Sequence, residues 1–175
     1  FVSALLLISP LADEAVKIRL TTPLESQSFV LMTLECLQKF GIKVSVAKDL
    51  REFETSKQTC KPTKYKVEGD WSSAACLLAA GALSGGVSVD NLNPDSCQAD
   101  KVILDILDSM GAKIKMRDNS CVVEKSELDA IETNLMDSPD IFPVIASLCA
   151  TASGLSILKG LGRLRYKESD RLAAM

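Results

Sequence analysis

No histidine occurs anywhere in the 175 residues. The commonest general base and the commonest metal ligand are therefore missing together, and any proton transfer must fall to carboxylates, lysines or cysteines. Aromatic residues are scarce as well, 5% against 47% for all apolar types. The interior has to be assembled from Leu, Val, Ile and Ala, which favours layered helices and strands over an aromatic-rich sandwich. Charge of one sign is also lacking. A formal net charge of -3, with Lys and Arg spread along the chain, argues against nucleic acid as the main partner. No apolar run approaches the length needed to span a bilayer, because Asp13, Glu14 and Lys17 interrupt the most apolar one, so no membrane partner is expected. The six cysteines show neither a CxxC pair nor zinc-ribbon spacing and read as reduced core thiols of an intracellular protein. Phe1 opens the chain inside an apolar helix with no cap and no initiator Met, which reads as a cut piece whose targeting signals cannot be judged.

What the chain does have is repetition. Residues 29–44 and 101–116 both run as amphipathic helix, glycine stop and alternating strand, with Gly41 and Gly111 as the stops, 70 positions apart. A second pair agrees: the helical stretch 72–83 ends in Gly85-Gly86 before Val87-Ser88-Val89, and 141–152 ends in Gly154 before Leu155-Ser156-Ile157. Gly86 and Gly154 are 68 apart. Two independent pairs imply a structural repeat of about 70 residues, each unit reading strand, helix, strand, helix, strand, strand. The first copy lacks its opening strand and has helices at 1–8 and 26–40 and strands at 16–20, 42–46 and 51–54. The second, 65–123, is expected to be complete. A third begins near 131–134 and breaks off at Met175. The helices starting at Ser72 and Ile141 are apolar nearly all round, so burial on every side is expected, with helices inside and strands outside. The polar stretch 51–64 is the candidate crossing between lobes, giving domains 1–64 and 65–175.

Three helix starts carry polar cargo. Asp70, in Glu68-Gly69-Asp70-Trp71-Ser72-Ser73-Ala74, is placed to cap a helix and accept from an amide near Ser73. Asp140, in Ser138-Pro139-Asp140-Ile141-Phe142-Pro143, repeats the device and leaves Pro143 harmlessly in the first turn. Lys167-Glu168-Ser169-Asp170-Arg171 packs two cations and three acidic or hydroxyl side chains into one turn, preceded by Lys159, Arg163 and Arg165. Free N–H groups at a helix start favour anions, and an anionic ligand suits this segment. The plainer readings are helix caps for the aspartates and a solvated face with weak ion pairs for the last cluster.

These three motifs, in this order and spacing and ending in Arg163-Leu164-Arg165-Tyr166-Lys167-Glu168-Ser169-Asp170-Arg171, closely resemble the 5-enolpyruvylshikimate-3-phosphate synthase family over the whole chain. The resemblance implies an α/β fold of enolpyruvyl-transferase type: two lobes of repeated βαβαββ units, helices packed inward and sheets outside, of which this chain is a fragment spanning parts of both. It also implies the family's activity in the shikimate pathway of aromatic amino-acid biosynthesis. There the carboxyvinyl group of phosphoenolpyruvate is transferred to the 5-hydroxyl of shikimate 3-phosphate, with release of phosphate and without metal or organic cofactor, in the cytoplasm.

Carried over residue by residue, Asp140 resembles the carboxylate that contacts the shikimate hydroxyls and assists proton transfer, and Glu168 the partner acid near the vinyl group. Lys167 corresponds to the lysine near the attacked hydroxyl and Arg171 to the holder of the phosphoenolpyruvate carboxylate. Ser26 aligns with a serine that binds the shikimate phosphate, although Gln27, Ser28 and Phe29 depart from the basic residue, Pro and Tyr that usually follow; its alternative is a helix cap. Arg163 aligns with a position near the same phosphate, with a surface role as the alternative. An acid and a base beside one carbon are what this chemistry requires, and crowded carboxylates can have their proton affinities driven apart. The family's Ser-Ser-Gln motif and several of its cations are absent. Two highly anionic substrates need more converging cations than the chain supplies, so the isolated chain is expected to be inactive and to depend on the remaining part of its parent. Two other readings are the sister UDP-N-acetylglucosamine enolpyruvyl transferase, which lacks the Lys-Glu-Ser-Asp-Arg signature, and a non-catalytic repeat scaffold.

Overall fold

A computed structural model describes all 175 residues, which form two compact units, Phe1–Val67 and Glu68–Met175. The first contains helix α1 (Val2–Ile8), strand β1 (Val16–Arg19), helix α2 (Gln27–Lys39) and strands β2 (Ser45–Val46) and β3 (Glu52–Thr55). Its sheet is antiparallel in the order β1-β3-β2, with Ile18 opposite Phe53 and Val46 opposite the same Phe53. Phe53 points inward and joins Leu6, Val30, Leu37 and Ile42 in a small core. The helices thus cover one face of the sheet, and the other carries Lys17, Arg19, Glu52 and Glu54.

The second unit is larger. Helix α3 (Trp71–Ser84) leads into β4 (Val87–Val89), a 3-10 turn (Ala99–Val102), α4 (Ile103–Ser109), β5 (Lys113–Arg117) and β6 (Ser120–Glu124). Then come β7 (Glu132–Asn134), a 3-10 turn (Pro139–Ile141), α5 (Phe142–Cys149), β8 (Ile157–Lys159), a 3-10 turn (Gly162–Tyr166) and α6 (Arg171–Ala174). One sheet is antiparallel, β4-β6-β5, and β7 pairs with β8 in parallel across the α5 crossover. Val123, Cys121 and Ile114 face α3 and α4, while Lys113, Lys115 and Arg117 stand on the solvent face. The α/β layering expected from the repeat is what forms.

The glycine stops show why the repeat was readable. After α2, Gly41 at φ +81° lets its own amide reach Gln38 O and the amide of Ile42 reach Leu37 O, both at 2.9 Å. After α4, Gly111 at φ +80° does the same with Asp108 O and, through Ala112, Leu107 O, again at 2.9 Å. This is the six-to-one closure that a left-handed residue permits, and glycine adopts it without a Cβ penalty.

Three expectations need correction. The second copy has no opening strand: no strand lies between β3 and α3, and just before α3 Gly69 N donates to Asn91 O at 2.6 Å. Residues 65–67 stay with the first unit, where the Tyr65 ring lies 6.0 Å from that of Phe40. Helix α3 is not buried all round. Trp71, Ala74, Ala75, Leu78, Ala79 and Ala82 are enclosed, but Cys76 and Leu77 face outward, so burial keeps a helical period that composition hides. Nor are the cysteines mainly core residues. Cys121 alone is buried, its thiol pushed up to about 11 by burial, whereas Cys60, Cys76 and Cys97 are exposed. None of the six forms a disulfide. No helix is long and apolar enough to cross a membrane.

Candidate functional site

The parallel pair β7–β8 brings two distant loops together. Leu135 N donates to Lys159 O (2.9 Å) as the strands end, and Gly160 turns there at φ +76°. A Cβ on Gly160 would lie 2.1 Å from Asn134 Oδ1 and 2.6 Å from Met136 N, so only glycine allows this approach. Beyond the turn, the Arg163 guanidinium donates to Met136 O, and Leu164 is fully buried in the core. The loop leading to Asp140 is therefore fastened to the loop leading to Lys167 and Arg171.

At the meeting point, Asp140 Oδ1 lies 2.9 Å from Lys167 Nζ and accepts from Arg171 Nη1 at 3.0 Å. Arg171 also gives Nη2 and Nε to Glu168 Oε1, at 2.7 and 2.9 Å. One guanidinium thus links the two carboxylates, with side-chain exposures of 34% for Asp140 and 24% for Arg171 but 68% for Glu168. The Glu168 carboxyl is held below its usual range by its own backbone N–H and by Arg171, and Arg171 is strengthened as a cation chiefly by its bond to Glu168. Asp170 caps α6 by accepting from Ala173 N at 3.0 Å.

Asp140 itself is not a helix cap, contrary to the sequence expectation. It lies inside the turn Pro139–Ile141, and α5 starts from Ile141 without a side-chain capping bond. Two cations from residues 27 and 31 positions downstream take its carboxylate instead. Asp70 does cap: it accepts from Ser72 N (3.2 Å), Ser73 N (3.1 Å) and Ser73 Oγ (2.5 Å), and the Ser73 hydroxyl leads these bonds in lowering its proton affinity.

Of the six candidate residues, Asp140, Lys167, Glu168 and Arg171 form one contiguous cluster. Arg163 is engaged with the Met136 carbonyl, and Ser26 belongs to the other unit, at the N-terminus of α2 with φ +52° and no side-chain capping bond. No group of three or more Cys, Asp or Glu side chains is arranged to hold a metal ion.

Sequence reasoning passed over two acidic residues near the start of α3. Glu68 accepts from Asn93 Nδ2 (2.8 Å), Ser96 Oγ (2.5 Å) and Gln98 Nε2 (2.8 Å), while Gln98 Oε1 receives Trp71 N at 2.8 Å. Burial pushes the Glu68 carboxyl up, but the three donors outweigh it and the net shift is downward. Asp100 accepts from Ser72 Oγ at 2.5 Å and is almost enclosed. Nothing in the sequence marked Asp100, whose hydroxyl partner is 28 positions away.

A family model described as EPSP synthase (3-phosphoshikimate 1-carboxyvinyltransferase) matches residues 1–175. Among curated relatives, a protein named 3-phosphoshikimate 1-carboxyvinyltransferase from Dehalococcoides mccartyi (strain BAV1) is 41% identical over 100% of this chain and 42% of its own length. One of the same name from Clostridium acetobutylicum is 42% identical over 100% of this chain and 40% of its own. The chain therefore spans about two fifths of the curated relatives it matches. Among solved structures, an EPSP synthase from Acinetobacter baumannii superposes with a TM-score of 0.74 at 23% identity, over 96% of this chain and 39% of that one. The enolpyruvyl transferase NikO from Streptomyces tendae gives 0.64 at 16% identity, over 87% and 37%. Both likenesses are of fold.

Proposed function

Because the chain belongs to the EPSP synthase (3-phosphoshikimate 1-carboxyvinyltransferase) family, we propose that it is part of a cytoplasmic shikimate-pathway enzyme. That enzyme moves the carboxyvinyl group of phosphoenolpyruvate to the 5-hydroxyl of shikimate 3-phosphate and releases phosphate. The observation that carries the reading is Arg171 spanning Asp140 and Glu168. Two carboxylates, a lysine and a guanidinium within one shell suffice to take a proton from an alcohol, give one to a vinyl carbon and hold a carboxylate ligand.

In this reading Asp140 accepts the hydroxyl proton, with Lys167 beside the developing alkoxide, and Glu168 protonates the vinyl group. The Glu168 carboxyl is held below its usual range by its own backbone N–H and then by Arg171. When Arg171 turns its fork to the carboxylate of phosphoenolpyruvate, Glu168 loses that partner and its proton affinity rises, as an acid role requires. Ser26 and Arg163 supply contacts to the shikimate phosphate. The first unit is assigned to the end of one lobe and the second to the start of the other, with the rest of the parent chain as the necessary partner.

The test uses an enzyme in which this chain is joined to the remaining length of its relatives. Asp140→Ala and Glu168→Ala should each lower kcat about 100-fold or more, and Arg171→Ala should chiefly raise the KM for phosphoenolpyruvate. Small, equal effects from all three would reduce these residues to surface pairs. The isolated chain should release no phosphate above background from the two substrates together, and substantial release would overturn the need for the remaining part.

A further inference from the structure

Strands β7 and β8 end several residues short of the charges whose loops they bring together. Their last rung sets Asn134 beside Lys159, and Leu135 N donates to Lys159 O at 2.9 Å as it closes. Beyond it the chains part, one toward Asp140 and the other toward Lys167 and Arg171. Met136, just past the rung, is 54% exposed, so packing does not hold it in place. Its two main-chain polar groups are held instead. The Met136 N–H donates to Asn134 Oδ1 at 3.0 Å, and the Met136 carbonyl accepts from the Arg163 guanidinium. Asn134 Oδ1 also stands against Gly160, where a Cβ would otherwise go. One carboxamide oxygen therefore lies against both departing chains. Core burial does not explain it: Leu135 and Ile141, 0% and 1% exposed, anchor the ends of the loop, whereas the Asn134 side chain is outside that core and exposed.

We propose that Asn134 is a positioning residue for the transfer reaction: its carboxamide oxygen ties the chain entering the Asp140 turn to the Gly160 turn, and so sets the separation of Asp140 from Lys167 and Arg171. The inference rests on the reading of these three side chains as the proton-transfer and carboxylate-holding groups. Proton transfer needs its partners within hydrogen-bond reach, and a misplacement of about 1 Å can cost about 100-fold in rate. Asp140 meets its two cations across the loops, at 2.9 and 3.0 Å, whereas Arg171 meets Glu168 three residues away on its own segment. Slack between the loops opens the first contact and spares the second.

Two measurements decide it, with Asn134→Ala removing the oxygen and Asn134→Asp keeping one in its place. The first follows the Arg171 guanidinium in the 175-residue chain by proton–nitrogen NMR. In Asn134→Ala the Nη1 protons, held by Asp140, should exchange with water about threefold faster or more, while the Nε proton, held by Glu168, should change by less than about 1.5-fold. Unmoved Nη1 exchange, or an equal rise at both nitrogens, would show that Asn134 does not set this separation, and the proposal would fail whatever reaction the enzyme runs.

The second uses the enzyme completed to the length of its relatives. Asn134→Ala should lower kcat about tenfold with KM for each substrate within about twofold, and Asn134→Asp should restore most of the rate. An unchanged kcat in Asn134→Ala overturns the role, and so does an Asn134→Asp enzyme as slow as the alanine variant. An unmutated enzyme that fails to turn over the two substrates removes the transferase reading and the role with it, while the exchange rates in the chain still report whether Asn134 fastens the loops.

Discussion

Each of the two units contains a carboxylate gripped by one lysine and one arginine. In the first, Glu52 lies 3.2 Å from Lys17 Nζ and 2.7 Å from Arg19 Nε; in the second, Asp140 lies 2.9 Å from Lys167 and 3.0 Å from Arg171. The distances alone do not separate them. Glu52 is on a sheet face with partners on the neighbouring strand, one of them directly opposite, and those cations are 51% and 69% exposed. Such pairs are cross-strand neighbours in water and contribute little. Asp140 receives its cations from a distant segment, Lys167 just after the turn Gly162–Tyr166 and Arg171 at the start of α6, at 30% and 24% exposure, with two more carboxylates acting on the same group of charges. What separates the two triples is that distant segments and partial enclosure bring the second together, whereas the first is a local cross-strand pairing.

That contrast can be challenged by mutation, and the strongest challenge is at the glycines. Gly160→Ala would drive a Cβ into Asn134 Oδ1 and the Met136 backbone at φ +76° and should cost about 3 kcal/mol by urea unfolding. Gly41→Ala in the first unit meets only the flexible Lys61 side chain, and the penalty of its φ +81° should be about 1 kcal/mol. Equal losses would mean that the two turns are equally tolerant and that Gly160 is no special fastening of the site.

Core truncation comes next. Leu164→Ala empties a fully buried position under the Lys167 loop and should cost about 2–3 kcal/mol, whereas Leu31→Ala, 39% exposed on α2, should change stability by less than about 0.5 kcal/mol. The charge triples follow. Glu52→Gln should leave the urea midpoint unmoved. Asp140→Asn, which leaves two cations facing each other, should lower it at low salt and recover as salt is added.

Acid response gives the finest distinction. The Glu68 and Asp70 carboxyls are lowered on folding, so their stabilisation is present above ordinary carboxylate values and is lost as pH falls through the lowered ones. Asp100 is raised and has the opposite sign: its favourable contribution is complete at low pH and disappears as pH rises through its elevated value. Asp100→Asn should therefore stabilise the chain at neutral pH, by an amount that shrinks on acidification. A destabilised Asp100→Asn at pH 7 would show that the Ser72 contact needs the charge for folding.

Local chemistry was the readable part. The caps after α2 and α4 lie within a few residues of the side chains that create them, so Gly41 and Gly111 announced the repeat directly. Asp70 was legible for the same reason, since its donors are two and three positions away. Asp140 misled because a short acidic residue before an apolar run looks like a cap whether or not distant cations claim it. Asp100 was silent: its hydroxyl partner is 28 residues away and its charged neighbours lie on three other segments. The opening strand expected near residue 65 alternates correctly, but alternation does not supply a partner edge.

The order of residues was enough to establish the period of the fold, the positions of its glycine stops, the reliance on carboxylates and lysine in a histidine-free chain, and the motifs that point to the family. Those properties are carried by neighbours along the backbone. The contact between Arg171 and both carboxylates, the enclosure of Asp100 and the outward turn of Cys76 and Leu77 were settled only by tertiary structure. Each depends on the β7–β8 pairing or on which helix face finds a neighbour, and proton affinity follows from that three-dimensional arrangement of charge and solvent.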